Sequence, residues 1–338
     1  MAINKAFLAQ GIFTELSVTN AINRYATYVS SNPANPPPAD NIDRFINAIV
    51  DMNIASVWIQ LFSHGHDCES GADGSPDQRL KLIARLNARS IPWAGWGYCA
   101  SYSHDDDFQL INQFKSDANI APKAFVIDAE PGNELQDPHD HTKKIKDTWD
   151  PAVFETFVRD VNHLFGRDNV ALSSWPVLYL HTDPDENAPA LMRAAAPYVS
   201  AFAPQAYWLD KPVPSNYTNG YTEANYPRHD PIAFVRLCLD DWSKYLNKWK
   251  AADPTITAKL IITGGVYWGS DGSPALPVME CKLISVVNHL PDAQWARMIG
   301  FNWYHAGMAN SDAEGSMSAN MISSIANAKL HLKPFQQP

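Results

Sequence analysis

Short apolar segments alternate with amphipathic segments along the whole chain, and this alternation limits its fold more than any other feature. Eight apolar or β-branched runs have the length of strands, and each precedes a segment whose apolar residues recur at helical spacing. The predicted strands cover 6–14, 55–62, 91–99, 123–130, 169–177, 201–208, 259–268 and 297–305. The predicted helices cover 40–53, 77–89, 105–118, 151–165, 187–197, 230–251, 276–290 and 316–328.

Eight strand–helix units predict one α/β domain over residues 1–338, a (β/α)8 TIM barrel, because parallel strands need helical crossovers that cover the sheet. The alternative is an open doubly wound sheet, but no Gly-x-Gly-x-x-Gly motif follows the first strand. Long loops at 17–39 and 209–229, after strands 1 and 6, are expected to shape a cleft at the C-terminal face.

Aspartates stand immediately before several of the predicted helices. A side-chain oxygen at this position can accept a hydrogen bond from the free N–H groups of the first turn. The predicted N-caps are Asp40, Asp105, Asp150 and Asp230, and the last is followed by a proline at the first helical position.

Charge and composition narrow the classes of partner. A formal net charge of -10 argues against binding to nucleic acid or to an anionic membrane surface. No stretch approaches the roughly 18 apolar residues of a membrane span. The N-terminus lacks a basic region followed by an apolar run, so we expect a soluble protein without a signal peptide, cytoplasmic as synthesised and exported, if at all, by another route. The 4 cysteines form no C-x-x-C pair, which is typical of reduced thiols.

Two carboxylates end the fourth predicted strand. Asp128 and Glu130 are spaced i, i+2, so both side chains point to the same face at the strand's C-terminal end. Carboxylates are rarely buried unless they are paired or functional. Cleavage of a glycosidic bond needs such a pair, one to donate a proton and one to stabilise the developing positive charge. An isolated Asp-x-Glu would more simply be an ion pair or a helix cap, but the surrounding residues favour catalysis.

Aromatic and amide side chains accompany these acids at the other predicted strand ends, where barrel active sites lie. Flat rings can stack on the C–H faces of sugars, so the cleft suits a neutral polyhydroxylated substrate. Two or three of the aromatic side chains are expected simply to close the top of the barrel. The predicted substrate-binding set is Gln60, Trp96, Tyr98, Trp175, Gln205, Trp208, Trp268, Asn302 and Trp303, with Tyr207 beside the acids.

Histidines at strand ends give a second hypothesis. His64 and His66, like His139 and His141, have the spacing of metal-ligand pairs, which would suit a metal-dependent hydrolase. The first strand offers no histidine pair, so we predict no metal and no other cofactor. A carbohydrate-binding barrel without catalytic activity is the third hypothesis.

Short motifs at 57–60, 95–98, 126–130, 203–208 and 300–303 are similar, in this order, to those of barrel glycoside hydrolases that cleave N-acetylhexosamine polymers. The chain resembles first the family 25 lysozymes (muramidases) and more distantly the chitinase-like family 18. The resemblance implies a hydrolase acting on a β-linked polysaccharide, with peptidoglycan as the first expectation.

The resemblance also implies roles for individual residues. Glu130 would be the proton donor, and Asp128 would assist the substrate's acetamido group or the oxocarbenium ion. Tyr207 would hydrogen-bond the intermediate, and Trp303 would lie under the -1 sugar. The chain departs from family 25 at Asn302, where those enzymes carry an aspartate, and at the end of the first strand.

Overall fold

Eight parallel strands close into a barrel in the computed structural model of the protein. The structure describes residues 3–14, 17–23, 25–70, 74–137, 142–208, 222, 224–265, 286 and 289–304. The barrel strands are β1 (Ala9–Thr14), β2 (Ser56–Ser63), β3 (Trp93–Tyr98), β4 (Phe125–Asp128), β5 (Val170–Ser174), β6 (Ala201–Ala206), β7 (Lys259–Gly265) and β8 (Met298–Tyr304). Each strand pairs with the next, and β8 pairs with β1. The predicted (β/α)8 barrel is confirmed.

Helices follow the strands and cover the outside of the sheet. They are α1 (Val18–Asn23), α2 (Asn41–Asp51), α3 (Pro76–Ala88), α4 (His104–Ser116), α5 (Pro151–Phe165), α6 (Ala188–Ala195), α7 (Pro231–Ala252) and α8 (Asp292–Trp295). Most of the segments predicted as helices at 276–290 and 316–328 lie outside the described residues. Within the described part of the chain, no helix combines the length and hydropathy of a membrane span.

Three of the four predicted N-caps are confirmed. Asp40, Asp150 and Asp230 each accept hydrogen bonds from backbone N–H groups in the first turn of their helices. The prediction for Asp105 is wrong, because α4 starts one residue earlier, after Ser103. Asp105 lies instead in the first turn, where its negative charge stabilises the helix by interacting with the positive end of the helix dipole.

Aromatic side chains fill much of the barrel interior. Phe13 packs edge-on against Trp58 and Trp96, with ring centroids 4.6 and 5.4 Å apart. A short 3-10 turn at Lys5–Phe7 closes its N-terminal end, and the Trp58 indole donates to the Ala6 carbonyl at 2.8 Å. The first strand therefore starts at Ala9 rather than at the predicted residue 6, because residues 5–7 turn under the barrel instead of joining the sheet.

The N-terminal segment is also joined to the far side of the barrel base. The Asn4 side chain donates to Asn169 Oδ1 at 2.8 Å, and its backbone N–H donates to the Asp168 carbonyl at 2.9 Å. Both partners immediately precede β5. The base of the barrel is thus held by contacts between residues far apart in sequence.

Close packing between β2 and β3 depends on Gly97. A Cβ atom on this residue would lie 2.3 Å from Cζ of Phe62, which is fully buried. We expect Gly97→Ala to lower the free energy of unfolding by about 1–3 kcal/mol, as overpacking of a core does. Urea denaturation would measure it, with Val29→Ala as the control because Val29 is 77% exposed. An unchanged unfolding midpoint for Gly97→Ala would show that Phe62 moves aside without cost.

Candidate active site

Strand β4 brings the two predicted acids to the mouth of the barrel. Asp128 is the last residue of the strand and is 5% exposed. In the sheet it pairs in register with Ser173 of β5. Ala129 still donates its N–H to the Ser173 carbonyl at 3.0 Å, so Glu130 leaves the sheet directly above the strand end. The strand stops two residues before the predicted end because Pro131 follows Glu130 and has no N–H to continue the ladder.

The side-chain amide of Gln205 links the two acids. Its Nε2 donates one hydrogen to Asp128 Oδ1 at 2.8 Å and the other to Ser173 Oγ at 3.1 Å, and its dipole favours the ionised form of the nearby Glu130 carboxyl. The structure therefore brings together three of the predicted residues, contributed by β4 and β6. The sequence prediction missed Ser173, although it stands at a strand end and is the register partner of Asp128.

Glu130 is also held from the loop that follows it. Asn133 Nδ2 donates to Glu130 Oε2 at 2.8 Å and to the Tyr98 hydroxyl oxygen at 3.0 Å. The Tyr98 hydroxyl in turn lies 3.4 Å from Glu130 Oε2. The sequence predicted Tyr98 but missed Asn133, whose only signal is a Pro-Gly-Asn turn directly after the acid.

Burial raises the pKa of Glu130 to about 7, and the negative charge of Asp147 adds to this increase. The nearby side-chain donors of Gln205, Tyr98 and Asn133 oppose it because they stabilise the carboxylate. Asp147 is fully buried and accepts hydrogen bonds from Ser101 N at 2.7 Å and Trp149 Nε1 at 3.0 Å. Asp147 was not among the residues predicted from the sequence. A carboxyl that titrates near neutrality can act as a general acid.

A raised pKa alone does not identify a catalytic acid in this protein. Burial raises the pKa of Asp107 to about 7 as well. Its oxygens, however, accept hydrogen bonds from Gly65 N at 2.7 Å, Ala100 N at 3.2 Å and Ser103 Oγ at 2.8 Å. Asp107 therefore joins the loops after β2 and β3 to α4, which is a structural role.

Three predicted stacking residues, Trp96, Trp208 and Trp303, are buried rather than displayed at the mouth. The Trp96 indole donates to the Thr14 carbonyl at 2.9 Å inside the barrel. Trp208 and Trp303 meet edge to face at 6.2 Å within the cluster that joins strands and helices. No ring face of these three side chains is available to a sugar, so the structure does not support a stacking role for them or a position of Trp303 under the substrate.

Tyrosines occupy the mouth instead. Tyr207 stacks on Tyr304 with ring centroids 4.9 Å apart, and both side chains are half-buried. Trp175 is also half-buried, but His181 covers one face of its ring at 4.3 Å. Its indole donates to the Pro131 carbonyl at 2.9 Å and so supports the loop that carries Glu130.

Of the remaining predicted substrate-binding residues, two are buried and one lies outside the described residues. Gln60 and Asn302 are buried at 4% and 2% exposure. Asn302 lies against β1, where a Cβ atom on Gly11 would be 2.1 Å from its Oδ1. Trp268 lies outside the described residues.

Of the histidines on which the metal hypothesis depends, the structure describes His64 and His66. His64 packs against the Tyr98 ring at 4.5 Å, and burial, with the nearby His66, lowers its pKa to about 4. His66 is exposed, and His139 and His141 lie outside the described residues. Among the residues that the structure describes, no group of three or more His, Cys, Asp or Glu side chains could hold a metal ion.

Fold and site together define a (β/α)8 barrel with paired carboxyls at the mouth of its fourth strand. No protein-family model matches the chain, and no curated protein matches its sequence. Solved structures do match it. A family 39 glycoside hydrolase from Bacteroides cellulosilyticus WH2 superimposes with a TM-score of 0.58 at 12% identity, covering 98% of this chain and 65% of that chain. The chain thus spans less than two thirds of that structure.

Two further solved structures have a TM-score of 0.50. One is AbfB, a family 51 alpha-L-arabinofuranosidase from Bifidobacterium longum, at 10% identity over 98% of this chain and 74% of that chain. The other is a GH18 chitinase from Pseudoalteromonas aurantia, at 10% identity over 95% of this chain and 99% of that chain. At such low identities, these similarities show the barrel fold.

Proposed function

We propose that the protein is a glycoside hydrolase in which Glu130 is the general acid and Asp128 the second carboxylate. The observation that carries this proposal is the placement of both carboxyls at the mouth of β4, where Gln205 holds Asp128 and Asn133 holds Glu130. Burial raises the pKa of Glu130 to about 7, so the acid is largely protonated below neutral pH, while its neighbour Asp128 accepts a hydrogen bond from Gln205. Two carboxyl groups with different roles are what glycosidic bond cleavage requires.

In the proposed reaction, Glu130 transfers its proton to the glycosidic oxygen as the bond to the anomeric carbon breaks. The leaving sugar departs as a neutral alcohol. Asp128 stabilises the positive charge that develops on the anomeric carbon, directly or through a substrate acetamido group. Water then completes the hydrolysis after giving a proton to Glu130, which restores the acid.

The proposed substrate is a β-linked polysaccharide of N-acetylhexosamines, with peptidoglycan first. This choice rests on the resemblance of the strand-end motifs to family 25 lysozymes and chitinase-like enzymes. The stacked Tyr207 and Tyr304 rings at the mouth are consistent with a neutral sugar substrate, because aromatic faces can pack against sugar C–H groups.

Mass spectrometry of products released from purified peptidoglycan and from chitin oligomers tests this function. We expect sugar fragments from the native protein at equal yield with and without EDTA. Turnover that EDTA abolishes and that survives Glu130→Gln would instead indicate a metal-dependent hydrolase that uses the histidines. Binding of either polymer without any released fragment would support a carbohydrate-binding barrel.

A further inference from the structure

We infer that Asn133 is a positioning residue that fixes which oxygen of Glu130 carries the transferable proton. The inference deepens the proposed function and rests on it. The relevant contacts are the two hydrogen bonds from Asn133 Nδ2, to Glu130 Oε2 at 2.8 Å and to the Tyr98 hydroxyl at 3.0 Å.

With Nδ2 of Asn133 directed to Glu130 and Tyr98, the hydrogens of these three side chains can be placed in only one consistent way. An amide nitrogen has two hydrogens and no acceptor site, so Asn133 gives one hydrogen to Glu130 and one to Tyr98. The Tyr98 oxygen is then an acceptor from Asn133, and its own hydrogen is directed to Glu130 Oε2, 3.4 Å away. Burial and the charge of Glu130 raise the pKa of Tyr98, so this hydroxyl keeps its hydrogen.

Oε2 of Glu130 therefore receives two hydrogens from its neighbours and has no room for one of its own. The acidic proton resides on Oε1, the oxygen that neither Asn133 nor Tyr98 contacts. Gln205 does not compete for this oxygen, because its two amide hydrogens go to Asp128 and Ser173. After Glu130 has given up this proton, the same two donors stabilise the carboxylate that remains. The reverse amide orientation would place an acceptor against Oε2 and put the proton there.

The loop around Asn133 is rigidly held. Its backbone N–H donates to the Glu130 carbonyl at 3.0 Å, and its carbonyl accepts from Asp147 N at 2.8 Å. Gly132 N donates to the Asp147 carbonyl at 2.7 Å, so two backbone bonds join the turn to Asp147. The strands Glu134–Gln136 and Lys144–Lys146 continue this pairing as an antiparallel ribbon. Asn133 is thus fixed before substrate arrives.

Three titratable groups surround Glu130 in the described part of the structure: Asp128 on its own strand, Tyr98 on β3 and Asp147 at the base of the ribbon. Asn133 and Asp147 act on Glu130 with opposite sign. The hydrogen bond from Asn133 favours the carboxylate, whereas the charge of Asp147 favours the protonated acid. Loss of Asn133 therefore raises the pKa of Glu130, and neutralising Asp147 lowers it.

The test compares Asn133→Leu, Asn133→Asp and Asp147→Asn with the native protein. The Glu130 titration is followed by NMR of protein labelled with carboxyl 13C glutamate and assigned with Glu130→Gln. We expect the titration of Asn133→Leu to move to higher pH by about one unit, the effect of losing one hydrogen bond to a charged group. Asp147→Asn should move it in the opposite direction. Gln136→Leu, an exposed change in the same ribbon, is the matched control and should leave the titration in place.

Kinetics provide the second readout. Activity requires protonated Glu130, so the basic limb of kcat/KM against pH should follow the same shifts, and kcat of Asn133→Leu should fall about tenfold or more while KM stays nearly constant. Asn133→Asp should be at least as damaging, because it replaces a donor with a like charge.

An unmoved Glu130 titration in Asn133→Leu would overturn the inference. Native-like kinetics of Asn133→Asp would overturn the placement of the proton, because an acceptor could then replace the donor. The NMR titration needs no substrate, so it separates failure of the Asn133 contact from failure of the proposed glycosidase activity.

Discussion

Glu130→Gln is expected to lower kcat by about 10²–10⁴-fold, the contribution of a positioned general acid. Glutamine keeps the shape of glutamate and can still accept a hydrogen bond from Asn133, but it has no proton to transfer to a leaving oxygen. KM should change little because the contacts to substrate remain. Steady-state rates of product release from the cleaved polymer would measure the effect.

Glu134→Gln is the matched control for this substitution. Glu134 lies four residues further along the chain, is exposed and faces Lys144 at 3.8 Å across the ribbon. Its replacement should leave kcat unchanged, and both variants should unfold at the native temperature. Retention of activity by Glu130→Gln, with the fold intact, would remove Glu130 from the mechanism.

Asp128→Asn is expected to lower kcat by about 10²–10³-fold, as the loss of one preorganised electrostatic group does. A neutral amide cannot stabilise positive charge on the anomeric carbon. The contact with Gln205 can persist, because the asparagine Oδ1 still accepts the 2.8 Å bond from Gln205 Nε2, so the loss reports the charge. The measurement is the same steady-state assay at a pH below 7, where Glu130 is protonated.

Azide addition to Asp128→Ala distinguishes the two ways in which Asp128 could act. If the carboxylate attacks the sugar directly, azide can occupy the vacated space, and a glycosyl azide product should appear with a recovered rate. If Asp128 only assists an acetamido group, no such product should form. A variant as active as the native protein would contradict any catalytic role for Asp128.

Much of the fold was predictable because each strand and helix has its own local pattern. The bounds of α5, 151–165, match the prediction because Asp150 and Pro151 define its start and Gly166 follows its end. Asp128 and Glu130 were identifiable for a related reason. Two charged residues after an apolar strand are conspicuous in sequence, and the barrel brings all strand ends to one face.

The aromatic residues show where sequence reasoning was insufficient. Tyr207 and Trp208 are neighbours at the end of one strand, and strand side chains alternate between faces. Only Tyr207 shares the face of Gln205, so Trp208 turns into the helix layer. The same alternation separates Asn302 from Trp303. A position at a strand end does not by itself place a side chain in the cleft, because only one residue of each neighbouring pair can point inward.

The roles of Asn133 and Asp147 could not be predicted from local pattern. Their importance comes from the way one loop returns to the strand end that precedes it. Asp147 N bonds the Asn133 carbonyl, and the Asp147 carboxylate binds Ser101 from another loop. Contacts of this kind depend on the tertiary path of the chain, and nothing in the spacing of these residues specifies that path.

The closed base of the barrel has a consequence for synthesis on the ribosome. Asn4 finds its partner at Asn169, 165 residues later, and β1 finds one of its two neighbouring strands only when β8 has been made. The segment at Lys5–Phe7 can meet Trp58 early, but its contact with Asn169 and the closure of β1 on β8 must wait for later parts of the chain. Long-range pairing of this kind slows folding, so the nascent chain exposes apolar surface that a chaperone can recognise.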